Sequence, residues 1–273
     1  MFRKLLKFPK HITASEQTHN NLQKTKHIDL KAKKMIQALR KDYKLYLMEA
    51  FGLFIFMVSA CFFGGMLEHL DSPWHLAIPN PFIRLLIMSV AMGTTALFIF
   101  LSPWVAPSGA FINPSVTVMY WHLGQLPLAN MIWYCVFQLL GGLVAVYVMA
   151  YLMGAILIDP PVNYVVTVPG KNVSVLQAAA METCIGFVMI TTVLFSSSTH
   201  KFKRFTPYFA ASLVAIDVLV AAPISGFGMN PARTIASAIP AHIYTAFWLY
   251  MLCPFVGMLS AARFFLWVQK RKG

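Results

Sequence analysis

Charge is what this chain has least of. Asp, Glu, Lys and Arg make up only 11% of its 273 residues, and nine of those residues are acids. Hydrophobic residues reach 58% and the mean hydropathy is +0.65. A water-soluble domain could not bury so much apolar surface, so the composition excludes one and indicates an integral membrane protein. Cysteine is also scarce. Cys61, Cys135, Cys184 and Cys253 stand singly in apolar stretches, with no CxxC and no His at ligand spacing. That excludes a disulfide framework and a thiolate metal site, and the four are read as small packing residues. No nucleophile–base pair is present either, so neither an enzyme nor a metal or cofactor is expected.

The net charge of +13 resembles a nucleic-acid signal until it is mapped. Twelve of the 22 Lys and Arg lie in residues 1–45, and most others flank apolar runs, at Lys201, Lys203 and Arg204 and at Arg263, Lys270, Arg271 and Lys272. Flanking charge sets orientation and touches lipid headgroups, so no nucleic-acid partner is expected.

Apolar runs cover about 46–66, 82–102, 128–153, 175–198, 206–223 and 243–268. Each is near the roughly 20 residues that a helix needs to cross a bilayer. Six crossings put both termini on one side. If that side is cytoplasmic, the basic clusters are inside, as the positive-inside rule requires. Residues 1–45 hold no apolar core, so they read as a basic cytoplasmic tail rather than a cleaved signal peptide. Within the tail, residues 28–47 fit either a basic amphipathic helix on an anionic leaflet or a disordered stretch.

Two stretches read alike, Ser108-Gly109-Ala110-Phe111-Ile112-Asn113-Pro114-Ser115 and Ser225-Gly226-Phe227-Gly228-Met229-Asn230-Pro231-Ala232. Asn before Pro is a helix start, with Asn as N-cap and Pro at the first helical position. Both sit in pieces too short and too broken by Pro and Gly to cross, about 103–127 and 224–242. These read as re-entrant half-helices starting at Pro114 and Pro231. Met48-Glu49 opens the first span and Met181-Glu182 the fourth, and Gln138-Leu139-Leu140-Gly141 aligns with Pro254-Phe255-Val256-Gly257. The chain is thus a repeat, 46–153 and 175–268, within a channel domain at 46–268. Three spans per copy is an odd number, so the second copy is inverted and the half-helix N-termini meet centrally.

Glu49, Glu182, the two Asn-Pro boxes and Asn230-Pro231-Ala232-Arg233 together resemble the aquaporin, or major intrinsic protein, family over about residues 45–268. The resemblance implies an all-α fold of six transmembrane helices plus two re-entrant half-helices. It also implies a homotetramer in a cell membrane, passing water and small neutral solutes. The implied pore motifs are Asn113, Pro114 and Ser115 with Asn230, Pro231 and Ala232. The amides of Asn113 and Asn230 would donate to a passing oxygen while the opposite wall stays apolar, and two positive helix ends with an Arg would exclude cations and protons.

The resemblance also implies a narrowest ring of four residues, which by position look like Arg233, Phe227, Val218 and either Met92 or Gly93. Water-selective members usually carry His where this chain has Val218, so its ring is more apolar and suits a polyol such as glycerol. Ser115 in place of Ala and the run Ile216–Pro223 resemble the plant nodulin-like branch, where Asn usually stands at the Asp217 position. Thr234 and Ala238 depart from the glycerol-conducting branch. Asp217 is either a pore-facing or gating group, or a structural one that is protonated or hydrogen-bonded to a neighbouring span through Ser212 or Thr95. Glu49 and Glu182 read as acceptors for the unpaired backbone before each half-helix. The resulting expectation is a passive channel for water and small uncharged solutes. The alternatives are a secondary transporter built on inverted repeats and a strictly water-selective aquaporin.

Overall fold

A computed structural model describes the backbone of residues 14–271 and the side chains of residues 30–271. The chain divides into two compact units, Met1–Asp42 and Tyr43–Gly273. In the first, the expected tail, residues 1–13 lie outside the described residues. From Ala14 onward this unit is helical, and its Leu30 and Ile36 are exposed. The stretch 14–45 contains no Pro or Gly and is rich in Lys, Gln, Leu and Ala, all compatible with a continuous helix.

The helices in chain order are α1 (Ala14–Glu68), α2 (Pro73–Ala77), α3 (Pro81–Leu101), α4 (Pro114–His122), α5 (Leu128–Met153), α6 (Ala155–Ile158), α7 (Val175–Ser198), α8 (Thr206–Ser225), α9 (Pro231–Ala241) and α10 (Phe247–Lys270). Six of them, α1, α3, α5, α7, α8 and α10, are long and apolar enough to cross a membrane. This is the predicted all-α architecture of six spans and two helices starting at Pro114 and Pro231, α4 and α9, with α2 and α6 as additional short helices. The sixth span begins four residues later than predicted, because His242 and Ala246 take left-handed φ values of 53° and 50° and turn the chain there.

Local chemistry explains the helix starts. Asn113 caps α4 by accepting from Ser115 N, and Asn230 caps α9 by accepting from Ala232 N and Arg233 N. The same device occurs a third time at Asn80-Pro81, which opens α3. A Ser174–Gln177 capping box opens α7.

Glycines let the spans of each repeat approach to backbone contact. A Cβ on Gly141 of α5 would lie 2.0 Å from the carbonyl oxygen of Ala50 in α1, and one on Gly257 of α10 would lie 2.2 Å from that of Thr183 in α7. Ala50 and Thr183 each follow the glutamate that opens their half, so the two contacts are repeat equivalents. Small residues take this role where lipid removes any hydrophobic drive for helix association.

Candidate functional site: a cavity between the two half-helices

Each half-helix is preceded by a loop whose backbone donors have no helical partner. In a membrane interior such donors are costly unless something accepts from them. Glu49, fully buried, accepts at one oxygen from Ser108 Oγ (2.7 Å) and Phe111 N (2.9 Å), and at the other from Ile112 N (2.6 Å) and Gln138 Nε2 (2.8 Å). Glu182, equally buried, accepts from Ser225 Oγ (2.6 Å), Gly228 N (2.7 Å) and Met229 N. A tyrosine hydroxyl closes each loop, Tyr134 donating to Ser108 O at 2.9 Å and Tyr250 to Ser225 O at 2.6 Å.

The two loops share one backbone path. Positive φ values recur at Gly109 and Gly226 (99° and 78°), at Ala110 and Phe227 (50° and 53°), and at Ile112 and Met229 (43° and 41°). Left-handed geometry is unfavourable for Ile and Met, and such strain persists only where surroundings over-determine it. Here the surroundings are the glutamates on one side and the opposite asparagine on the other. Asn113 Nδ2 donates to Met229 O at 3.0 Å, and Asn230 Nδ2 donates to Ile112 O at 2.7 Å. The bonds cross, so each half holds the loop of the other. Each amide has two N–H groups and spends one on this bond, leaving the second free to donate elsewhere.

Beside this crossing lies a cavity of about 350 Å³. Asn113, Asn230, Phe227 and Arg233 line it, together with apolar side chains such as Phe56, Phe100, Val193 and Met258. At one end its lining includes Ser197, Lys203 and Thr206. Arg233 is buried and its Nη1 has no hydrogen-bond partner. A buried guanidinium at the wall of a cavity places a fixed positive charge beside whatever enters.

Of the other expected ring residues, Met92 and Val218 are buried but lie outside the cavity lining. They continue its stripes by one helical turn. On α3 the lining residues Phe100 and Ala96 lead to Met92 at i−4, and on α8 Ala210 and Val214 lead to Val218 at i+4. Gly93 is elsewhere. A Cβ there would lie 2.7 Å from Ala215 Cβ and 3.1 Å from Ala211 O, so Gly93 seats α3 against α8. Pro114, Ser115, Pro231 and Ala232 are buried at the half-helix starts, and Ser115 Oγ has no partner.

Asp217 does not make the hydrogen bond to a neighbouring span that one reading of it expects. It is buried, yet its Oδ2 has no hydrogen-bond partner. Neither Ser212 nor Thr95 serves it; Thr95 Oγ1 bonds Ala91 O and Ser59 Oγ, both at 2.8 Å. Several members of the site were not singled out from sequence. Tyr134 and Tyr250 stand near repeat-equivalent positions, as do Ser108 and Ser225, and that symmetry was their signal. Lys203 and Ser197 carried none, because only the fold brings them to the cavity.

A family model described as Major intrinsic protein matches residues 36–265. The chain belongs to the major intrinsic protein family. The family consists of membrane channels, not enzymes. Among curated relatives, this major intrinsic protein is 33% identical over 157 residues to a probable NIP-type aquaporin of Nicotiana alata, a match covering 57% of this chain and 56% of that one. It is also 28% identical over 165 residues to aquaporin TIP2-1 of Arabidopsis thaliana, covering 59% and 64% respectively. The matches thus span little more than half the length of such relatives. The X-ray structure of the aquaglyceroporin from Plasmodium falciparum superposes with a TM-score of 0.67 at 20% identity, covering 82% of this chain and 95% of that one. That likeness concerns the fold.

Proposed function

We propose that this integral membrane protein is a passive channel for water and small uncharged solutes, glycerol among them, and that it excludes ions and protons. The observation that carries this reading is the pair of half-helix starts locked by the Asn113–Met229 and Asn230–Ile112 bonds at the wall of an otherwise apolar cavity. Two positive helix ends and the Arg233 charge there disfavour cations. The remaining amide donors replace part of the hydration that a neutral solute sheds. The apolar wall, with Val218 and Met92 as its proposed continuation toward the constriction, suits the carbon skeleton of a polyol. The relatives' names, probable NIP-type aquaporin and aquaporin TIP2-1, and the aquaglyceroporin of the structural match point the same way.

The proposed setting is a homotetramer in the plasma membrane with both termini cytoplasmic, supported by the basic residues that gather at the tail, at 201–204 and at 263–272. Swelling of proteoliposomes with water, glycerol, urea and a sodium salt tests the function. Neutral solutes should enter at rates indifferent to membrane potential or a sodium gradient, and the salt should not. Flux that follows either gradient would establish a coupled transporter instead. Val218→His tests the polyol preference in the same assay, since a polar, bulkier ring should lower glycerol entry more than water entry. No change in either would remove Val218 from the constriction, and equal loss of both would indicate misfolding or general blockage.

A further inference from the structure

All three cation–π pairs among the described residues lie on one rim of the second unit. Lys201 Nζ is 5.8 Å from the ring of Phe202, the Arg204 guanidinium 4.6 Å from Phe205, and the Arg271 guanidinium 3.8 Å from Trp267. The rim is continuous. Phe195, near the end of α7, meets Phe264 and Phe265 of α10 at 6.1 and 5.1 Å, and Phe264 stacks on Trp267 at 6.0 Å. Ser196 Oγ and Thr206 Oγ1, 3.0 Å apart, tie the end of α7 to the start of α8.

None of these cations forms an ion pair among the described residues. No acid occurs in residues 183–216 or 218–273, and the one ion pair among the described residues is Arg84 with Glu68. Lys201, Arg204 and Arg271 are all exposed, as are Phe202, Phe205 and Trp267 at 43%, 39% and 50%. Aromatic rings at a span's end settle at headgroup depth. A guanidinium lying flat on such a ring keeps its N–H edge free for an anion. The missing partner is therefore a negative group held at headgroup depth, which is the phosphate of an anionic phospholipid.

We propose that the rim formed by Lys201, Arg204 and Arg271 with Phe202, Phe205 and Trp267 binds anionic phospholipid headgroups. The site does not depend on what the pore passes. It adjoins the cavity, because Lys203, between two of these cations in sequence, is among the residues that line it.

The test uses the full-length protein in phosphatidylcholine vesicles with a minor fraction of phosphatidylglycerol, each lipid spin-labelled in turn. The protein-immobilised fraction should favour phosphatidylglycerol severalfold. The preference should approach unity in the triple variant Lys201→Gln, Arg204→Gln, Arg271→Gln, and should shrink as salt is raised. Lys171→Gln, which changes a basic residue of another loop, should keep the full preference. Trp267→Leu retains the Arg271 charge but removes its platform, and should give a partial loss. The thermal midpoint and water flux of the triple variant in pure phosphatidylcholine serve as its folding control. If that variant does not fold, single Arg271→Gln and Arg204→Gln variants decide, each expected to lose part of the preference. No preference in the unmodified protein would overturn the proposal. So would a preference intact in the variants, which would move it to the basic first unit, or one abolished by millimolar inorganic phosphate, which would indicate a site for free anions.

Discussion

Asn230 donates its side-chain amide to the carbonyl of Ile112 at 2.7 Å, across 118 residues of chain. Asn113 returns the bond to Met229. Each asparagine therefore does two jobs, capping its own half-helix with Oδ1 and fixing the opposite loop with Nδ2.

The glutamates carry the loops, which predicts the effect of neutralising them. Glu49→Gln or Glu182→Gln puts an NH₂ group where an oxygen accepted, leaving a buried donor unmet at a cost of about 1–3 kcal/mol. For a chain of this size that lowers the thermal midpoint by about 2–4 °C per kcal/mol. The loss should be larger at Glu49, which accepts four bonds against three at Glu182. Thermal unfolding in detergent measures it.

Two glycines on spans should respond with opposite sign. Gly141→Ala drives a methyl to 2.0 Å from the Ala50 carbonyl, a backbone atom that cannot yield cheaply. Overpacking of this kind costs about 1–3 kcal/mol or more and should cut the yield of folded protein. At Gly186 the nearest atom to a new Cβ is 3.4 Å away, so Gly186→Ala should be neutral or stabilising by up to about 1 kcal/mol through helix propensity. Size-exclusion yield and the thermal midpoint separate the two.

Asp217→Asn should raise the thermal midpoint and leave neutral-solute flux unchanged. The carboxyl has a buried oxygen with no partner, and the amide keeps its shape without the cost of a buried ionisable group, a gain on the order of 1 kcal/mol. A fall in stability would reveal a partner that Asp217 depends on.

Arg233→Val removes a fixed charge while both half-helix caps remain. Its Nη1 holds no protein group, so its loss orphans no acceptor there. A unit charge about 8 Å away, at an effective dielectric near 20, is worth about 2 kcal/mol, or about thirtyfold in cation occupancy. Neutral-solute flux should persist or rise, with proton or cation leakage increased by a factor of that order. Liposome flux with a pH-sensitive dye and a potassium electrode reads both.

Much of this was legible before any coordinates. Long apolar runs predict the spans, Asn-Pro predicts both half-helix starts, and the matched boxes predict the inverted repeat. The crossed bonds were not legible, because they depend on left-handed backbone at Ile112 and Met229, residue types that carry no turn signal. The choice between Met92 and Gly93 stayed open because adjacent helical residues differ by about 100° in direction, which only packing resolves. Gly93 meets the α8 surface at Ala211 and Ala215. Residues 28–47 fitted a helix and a disordered stretch equally, because the absence of Pro and Gly favours the first and the charge the second; the stretch is helical.

The crossed bonds also impose an order on biogenesis. A ribosome finishes Ile112 well before it reaches Asn230, so the first loop enters the membrane with a carbonyl that nothing yet satisfies. Glu49, made earlier still, can accept from the N–H side of that loop in the meantime. The carbonyl side waits for the second half. The first repeat is therefore a partly braced intermediate, and the last turn of the maturing pore closes only when chain made late reaches back to chain made early.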